Sequence, residues 1–144
     1  MKLGICTITD GGNAVYPSCI ANMVNSLDLL DYDMHWYIHQ NGVEDDLPEV
    51  AAVSLRDDTT TTRSADYRGI SKNRNDLAQA ALDDGCGAVI WIDDDIVVPW
   101  VDEGVAISRD GGWIDGLLTP LEADAAVFAV GLSPCVCTED FNTM

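Results

Sequence analysis

Basic residues are what this chain lacks. Seven lysines and arginines stand against 25 aspartates and glutamates, a formal net charge of −18, and Lys2 and Lys72 are the only lysines. A surface of that sign repels polyphosphate, which argues against direct binding to DNA, RNA or an anionic membrane. In dilute buffer it also repels itself and weakens the fold. High salt confines that repulsion to roughly 3 Å. The acids are spread along the whole chain rather than gathered in one tail. That spread fits the high-salt cytoplasm of a halophile, or of a virus infecting one, better than an ordinary acidic protein with a few acidic loops.

Long apolar runs are missing as well. No window reaches the roughly 18 apolar residues of a membrane span. The apolar stretch within Met1–Thr9 is too short for a signal peptide, so a cytoplasmic protein is expected. The five cysteines, Cys6, Cys19, Cys86, Cys135 and Cys137, contain no CxxC pair, and the last two are too sparse a pattern for zinc. All five are expected to be reduced, the first three as core residues. Gly11-Gly12 lacks the spacing of a dinucleotide-binding fingerprint, and no Ser or Cys sits in a nucleophile elbow. Internal repeats and domain linkers are also absent from the pattern.

What is present is a globular composition. The 144 residues are 47% apolar, which suits one domain with a real core. Lys2–Thr9 reads as a buried strand closed by Asp10-Gly11-Gly12-Asn13. A helix is predicted from Tyr16 to Leu30, with Pro17 in its first turn and Ile20, Met23, Val24, Leu27 and Leu30 at helical spacing. Met34–Gln40 reads as a second strand and Val50–Leu55 as a short third. Arg56–Arg68, with four consecutive threonines, reads as a loop. A second helix is predicted from Gly69-Ile70-Ser71 to Leu82, with Ser71 as its N-cap, and Ala88–Ile92 is the most apolar strand. Beyond Pro99 the pattern weakens: Val101–Ile107 suits a strand or a helix, and Ala125–Gly131 a strand. The alternation predicts an α/β fold, a single-domain, mostly parallel open sheet with helices on both faces. Ligands bind such sheets beyond the carboxyl ends of the strands. Thr9-Asp10, Gln40-Asn41 and Asp93-Asp94-Asp95 should therefore share one rim.

The aspartate run carries the chemistry. Like charges this close raise one another's pKa unless a cation neutralises them, and oxygen-only ligands suit Mg²⁺ or Mn²⁺. Strand alternation would place Asp93 and Asp95 on one side and Asp94 on the other. Two carboxylates on one side can hold a divalent ion that also grips a diphosphate. With 20 aspartates in the chain, a run also arises as a solvated acidic turn, as Asp45-Asp46, Asp57-Asp58 and Asp83-Asp84 illustrate. The run at Asp93 differs in being wedged between Val89-Ile90-Trp91-Ile92 and Ile96-Val97-Val98-Pro99.

Gly69-Ile70-Ser71-Lys72-Asn73-Arg74-Asn75, followed by Ala88-Val89-Ile90-Trp91-Ile92-Asp93-Asp94-Asp95, resembles the GT-A glycosyltransferases, especially the family-2-like group. Those enzymes carry a Gly-…-Arg-Asn helix start and then an apolar strand ending in a DxD motif. Arg74-Asn75 and the three aspartates match both elements in order and spacing, and Pro99 also fits. The resemblance spans about Leu3 to Pro99, which makes 1–99 the nucleotide-sugar-binding half and 100–144 a reduced acceptor half. It implies a nucleotide-diphospho-sugar donor and a divalent ion, Mn²⁺ or Mg²⁺, held by Asp93 and Asp95, with Asp94 nearer the sugar or ribose. Thr7, Thr9 and Asp10 would line the base and ribose pocket, with Gln40 or Asn41 across from them. Arg74 would lie near the diphosphate or brace the aspartates; the alternative is a surface arginine paired with Asp76 or another acid.

Thr138-Glu139-Asp140-Phe141 resembles the family's ED motif, whose acid acts as general base in an inverting transfer. Asp140 is the first candidate for that role and Glu139 the second, although a polar tail explains them equally simply. Glu139 follows Asp95 by 44 positions, fewer than the family has, so the acceptor site is minimal, supplied by another chain, or absent. The acceptor class (glycan, lipid or protein) is open, as is a homo-oligomer. A non-catalytic structural or decorating protein on the same fold, including a viral one, is the alternative function, and a simple cation-binding module is a third. His35 and His39 fall in a strand-like segment without a third ligand and read as structural.

Overall fold

The computed structural model describes residues 1–12, 16–29, 31–96 and 112–124. Strands β1 (Leu3–Thr9), β2 (Met34–Asn41), β3 (Thr59–Ser64) and β4 (Ala88–Trp91) form one sheet in the order β3-β2-β1-β4. Every pairing is parallel: Ile5 lies opposite Trp36 and Ile90, and Trp36 opposite Thr59. Helices α1 (Tyr16–Leu29), α2 (Pro48–Val53) and α3 (Ile70–Asp83) connect the strands. The fold is thus α/β with an open parallel sheet. By contact the chain forms two compact units, Met1–Asp110 and Gly111–Met144. The sheet belongs to the first, and the second contains α4 (Gly112–Ala123).

Burial follows strand position. The central strands β1 and β2 are buried along nearly their whole length, as strands covered on both faces are. On one face Cys6 and Tyr37 join Leu77, Ala81 and Cys86 in a buried cluster beneath α3. On the other, α1 sets Cys19, Ile20 and Met23 beside Thr7 and Trp36, whose positions alternate with those of Cys6 and Tyr37. Gly4 permits the close approach of α3, because a Cβ there would stand 2.8 Å from the Ala81 Cβ.

Two segments differ from the sequence expectation. Val50–Leu55, read as a strand, lies largely in α2. Pro48 opens this helix, Glu49 sits in its first turn, and Val50 and Val53 are buried at helical spacing while Leu55 is exposed. Arg56–Arg68, read as a loop, contains β3. Its threonines are β-branched and fit a pleated ladder, and their hydroxyls are used: Thr60 meets His35 Nε2 at 2.8 Å and Thr62 meets His39 Nδ1 at 2.9 Å. These two changes turn β-β into the crossover β2-α2-β3, which is what makes that pair parallel. Ser71 is not the cap of α3. Gly69 holds that position at φ +81°, a conformation open to glycine, and no side chain caps the helix. The helix α4 was not legible past Pro99, and Val101–Ile107 and Ala125–Gly131 lie outside the described residues.

Candidate functional site

Four parallel strands put four carboxyl ends on one edge. The chain moves outward from β1 through β2 to β3 and then returns to lay β4 on the other side of β1. The connections therefore diverge between β1 and β4, the place where open parallel sheets leave a crevice for ligands. Thr9-Asp10 and Asp93-Asp94-Asp95 flank that point.

The strand before the aspartates ends at Trp91, so alternation does not govern all three. Asp93–Ile96 form a turn closed by the Ile96 N–H on the Asp93 carbonyl at 3.1 Å. Within it Asp94 reaches β1, where the Thr9 hydroxyl donates to Oδ2 at 2.6 Å. Asp93 reaches α3, where Arg74 Nη2 donates to Oδ1 at 3.1 Å. The same guanidinium stands 5.5 Å over the Trp91 ring. Arg74 braces the run, and it is Arg68 and Lys72 that pair with Asp76. Asp95 is exposed. Burial raises the Asp94 pKa first, and the Asp10 and Asp95 carboxylates add to it against the opposing Thr9 bond. Burial also raises the Cys19 thiol, helped by Asp95 and Asp94.

The other expected residues divide into two groups. Thr9, Asp10, Asn41 and Asp94 share a cleft of about 160 Å³. The Asn41 Oδ1 accepts the Arg68 N–H at 3.0 Å, and Asp10 Oδ1 accepts that of Gly12 at 2.8 Å. Thr7 and Gln40 lie outside that cleft, although Thr7 lines a smaller cavity together with Asp93 and Asp94. Thr7 Oγ1 accepts the Trp36 indole N–H at 3.0 Å. Gln40 donates to Asp46 and accepts the Leu47 N–H, both ends of its amide fixing the turn after β2. Asp140 and Glu139 lie outside the described residues.

Three cleft residues were not singled out from the sequence: Ile8, Tyr67 and Ile70. Tyr67 and Ile70 are exposed large apolar residues. A tyrosine in an otherwise polar segment, just before a helix-opening glycine, was the available signal for Tyr67.

A divalent ion at this edge would find oxygen donors of the right kind, but no prebuilt cage. Among the described residues no three acidic, histidine or cysteine side chains converge on one point. Mg²⁺ and Mn²⁺ commonly take only one or two carboxylates and complete their shell with water and substrate phosphates. The residues present fit that mode. The Arg74–Asp93 pair is no obstacle, since ion pairs this exposed contribute about 0–1 kcal/mol. No known family profile matches the sequence, and neither does any curated protein.

Proposed function

We propose that the chain binds a nucleotide-diphospho-sugar at the carboxyl edge between β1 and β4 and transfers the sugar, with inversion, to a glycan, lipid or protein hydroxyl. The observation that carries this reading is the joining of Asp94 to Thr9 in a cleft at the strand-order reversal, with the neighbouring Asp93 held by Arg74. That arrangement matches the order of elements on which the resemblance to GT-A glycosyltransferases rests. Asp10 and Asp94 would accept hydrogen bonds from ribose or sugar hydroxyls. Arg74, once it leaves Asp93, supplies a guanidinium for the diphosphate. Asp93 and Asp95 would hold Mn²⁺ or Mg²⁺, which when bound neutralises charge on the departing nucleoside diphosphate. Asp140, or Glu139, would take the proton of the acceptor hydroxyl. The acidic, lysine-poor surface supports a high-salt cytoplasm as the setting.

A non-catalytic structural or decorating role on the same fold is the second reading. It is favoured by the fact that two of the three carboxylates already have protein partners. Thermal melting at high salt separates the two. UDP, GDP or dTDP should raise the melting temperature by mass action, and more so with Mn²⁺. If no nucleotide shifts the transition with Mn²⁺ present, the transferase reading is wrong.

A further inference from the structure

Tyr67 is 64% exposed and Ile70 52% exposed, and both line the cleft that holds Asp10 and Asp94. Single apolar side chains scattered over a surface are ordinary, but grouped in a cleft beside polar groups they mark a place for a ligand. The segment carrying Tyr67 is fixed at both ends. The Ser64 carbonyl accepts the Gly42 and Val43 N–H groups at 2.8 and 3.2 Å. Asn41 Oδ1 accepts the Arg68 N–H at 3.0 Å. Between these anchors Tyr67 rests over Gly42, where a Cβ would stand 3.6 Å from its Cβ and Cδ2. The ring is thus held at the cleft by backbone bonds, not by burial.

The lining also says what kind of group fits. Among the described residues no lysine or arginine lines the cleft, while Asp10 and Asp94 do. Two carboxylates repel a phosphate and accept hydrogen bonds from hydroxyls. The cleft of about 160 Å³ is smaller than the roughly 300 Å³ at which pockets begin to enclose a whole ligand. It suits one uncharged ring of a larger ligand, with any phosphate outside it.

We infer that Tyr67 is the ring-stacking residue of this cleft, which takes the nucleoside end of the ligand, its base on Tyr67 and its ribose hydroxyls toward Asp10 and Asp94. Every base has a π face that an aromatic ring can cover, and Ile8 and Ile70 supply apolar walls. This inference rests on the nucleotide-sugar reading of the site. It adds the residue by which the chain holds a nucleotide rather than a bare diphosphate.

Calorimetric titration of UDP, GDP, dTDP, UDP-glucose, GDP-mannose and inorganic pyrophosphate, each with Mn²⁺ at high salt, tests it on the full chain. At least one nucleotide should bind the wild type more tightly than pyrophosphate does. Tyr67→Ala should weaken that nucleotide about tenfold, leave pyrophosphate unchanged, and melt without ligand at the wild-type temperature. Tyr67→Phe keeps the ring and should bind like the wild type, with the same stacking loss of base absorbance. An unchanged nucleotide affinity in Tyr67→Ala would overturn the inference. So would an equal loss for pyrophosphate or a lower ligand-free melting temperature, since either assigns the ring a structural role. A loss confined to UDP-glucose or GDP-mannose would put the sugar, not the base, on Tyr67 and overturn it too. If the wild type binds pyrophosphate as tightly as every nucleotide, the nucleoside subsite fails alone. If it binds neither, the nucleotide-sugar reading fails and takes this inference with it.

Discussion

Thr9 Oγ1 donates to Asp94 Oδ2 at 2.6 Å, across 85 residues of sequence, and ties the end of β1 to the turn after β4. The same oxygen accepts the Gly11 N–H at 3.0 Å. One buried hydroxyl thus orders both sides of the cleft where the strand order reverses. Thr9→Val keeps the shape and removes the hydroxyl, leaving a partly buried carboxylate and a backbone N–H without that partner. The expected loss is about 1–3 kcal/mol of stability, read as a lower urea midpoint. Asp94→Asn should lose less, because its amide oxygen still accepts. The double variant should fall short of additivity by about 0.5 kcal/mol or more. Additive losses would show that the two side chains are not coupled.

Gly4 tests the packing that positions α3, and with it Arg74 and Asn73. A methyl at Gly4 meets the Ala81 Cβ at 2.8 Å, with Cys86 Sγ and a Tyr37 ring carbon at 3.4 Å. Overpacking of this kind costs about 1–3 kcal/mol. Gly4→Ala should lower the denaturant midpoint with an unchanged slope. Pairing it with Ala81→Gly should recover part of the loss, because the contact is between those two carbons.

His39 is buried on the α3 face of β2, with Thr62 at 2.9 Å on Nδ1 and Ser64 at 3.0 Å on Nε2. Burial lowers its pKa from the ordinary 6.5, the Arg68 charge lowers it further, and Asp76 opposes them. The unfolded chain then takes up protons at a higher pH than the folded one. This part of the stability is complete above pH 6.5 and is lost as the pH falls from there toward the folded value. His39→Gln carries no such proton. Its melting temperature should decline less than the wild type's between about pH 7 and pH 5, with the remaining slope owed partly to His35, whose pKa burial also lowers.

The elements legible in the sequence are those whose side chains are apolar enough to reveal a period. β1 and β2 are runs of buried residues, β4 is apolar throughout although only its Ile90 is buried, and α1 and α3 show a stripe at helical spacing. β3 was hidden because its threonines carry little apolar signal; its place in the sheet comes from pairing with β2 and from hydroxyls that meet two histidines. α2 was hidden because six residues around Val50 and Val53 are too few to separate a helical from a strand period. The rim holding Thr9, Asp10, Asn41 and Asp94 was legible, since parallel strands put their carboxyl ends together. What was not legible is where each polar group spends its hydrogen bonds. Gln40 looked like a cleft residue yet is bound to Asp46 and Leu47, and the polar Asn73 is buried.

In the proposed function the turn after β4 holds a cation and a nucleoside diphosphate together. The most direct measurement is calorimetric titration of Mn²⁺ at high salt, with and without UDP, GDP or dTDP, into the wild type and into Asp93→Ala/Asp95→Ala. The expected result is that one of these nucleotides tightens Mn²⁺ binding in the wild type and that the double variant, still folded, loses this coupling. Equal Mn²⁺ binding in the two proteins, or no effect of any nucleotide on the wild type, would contradict it.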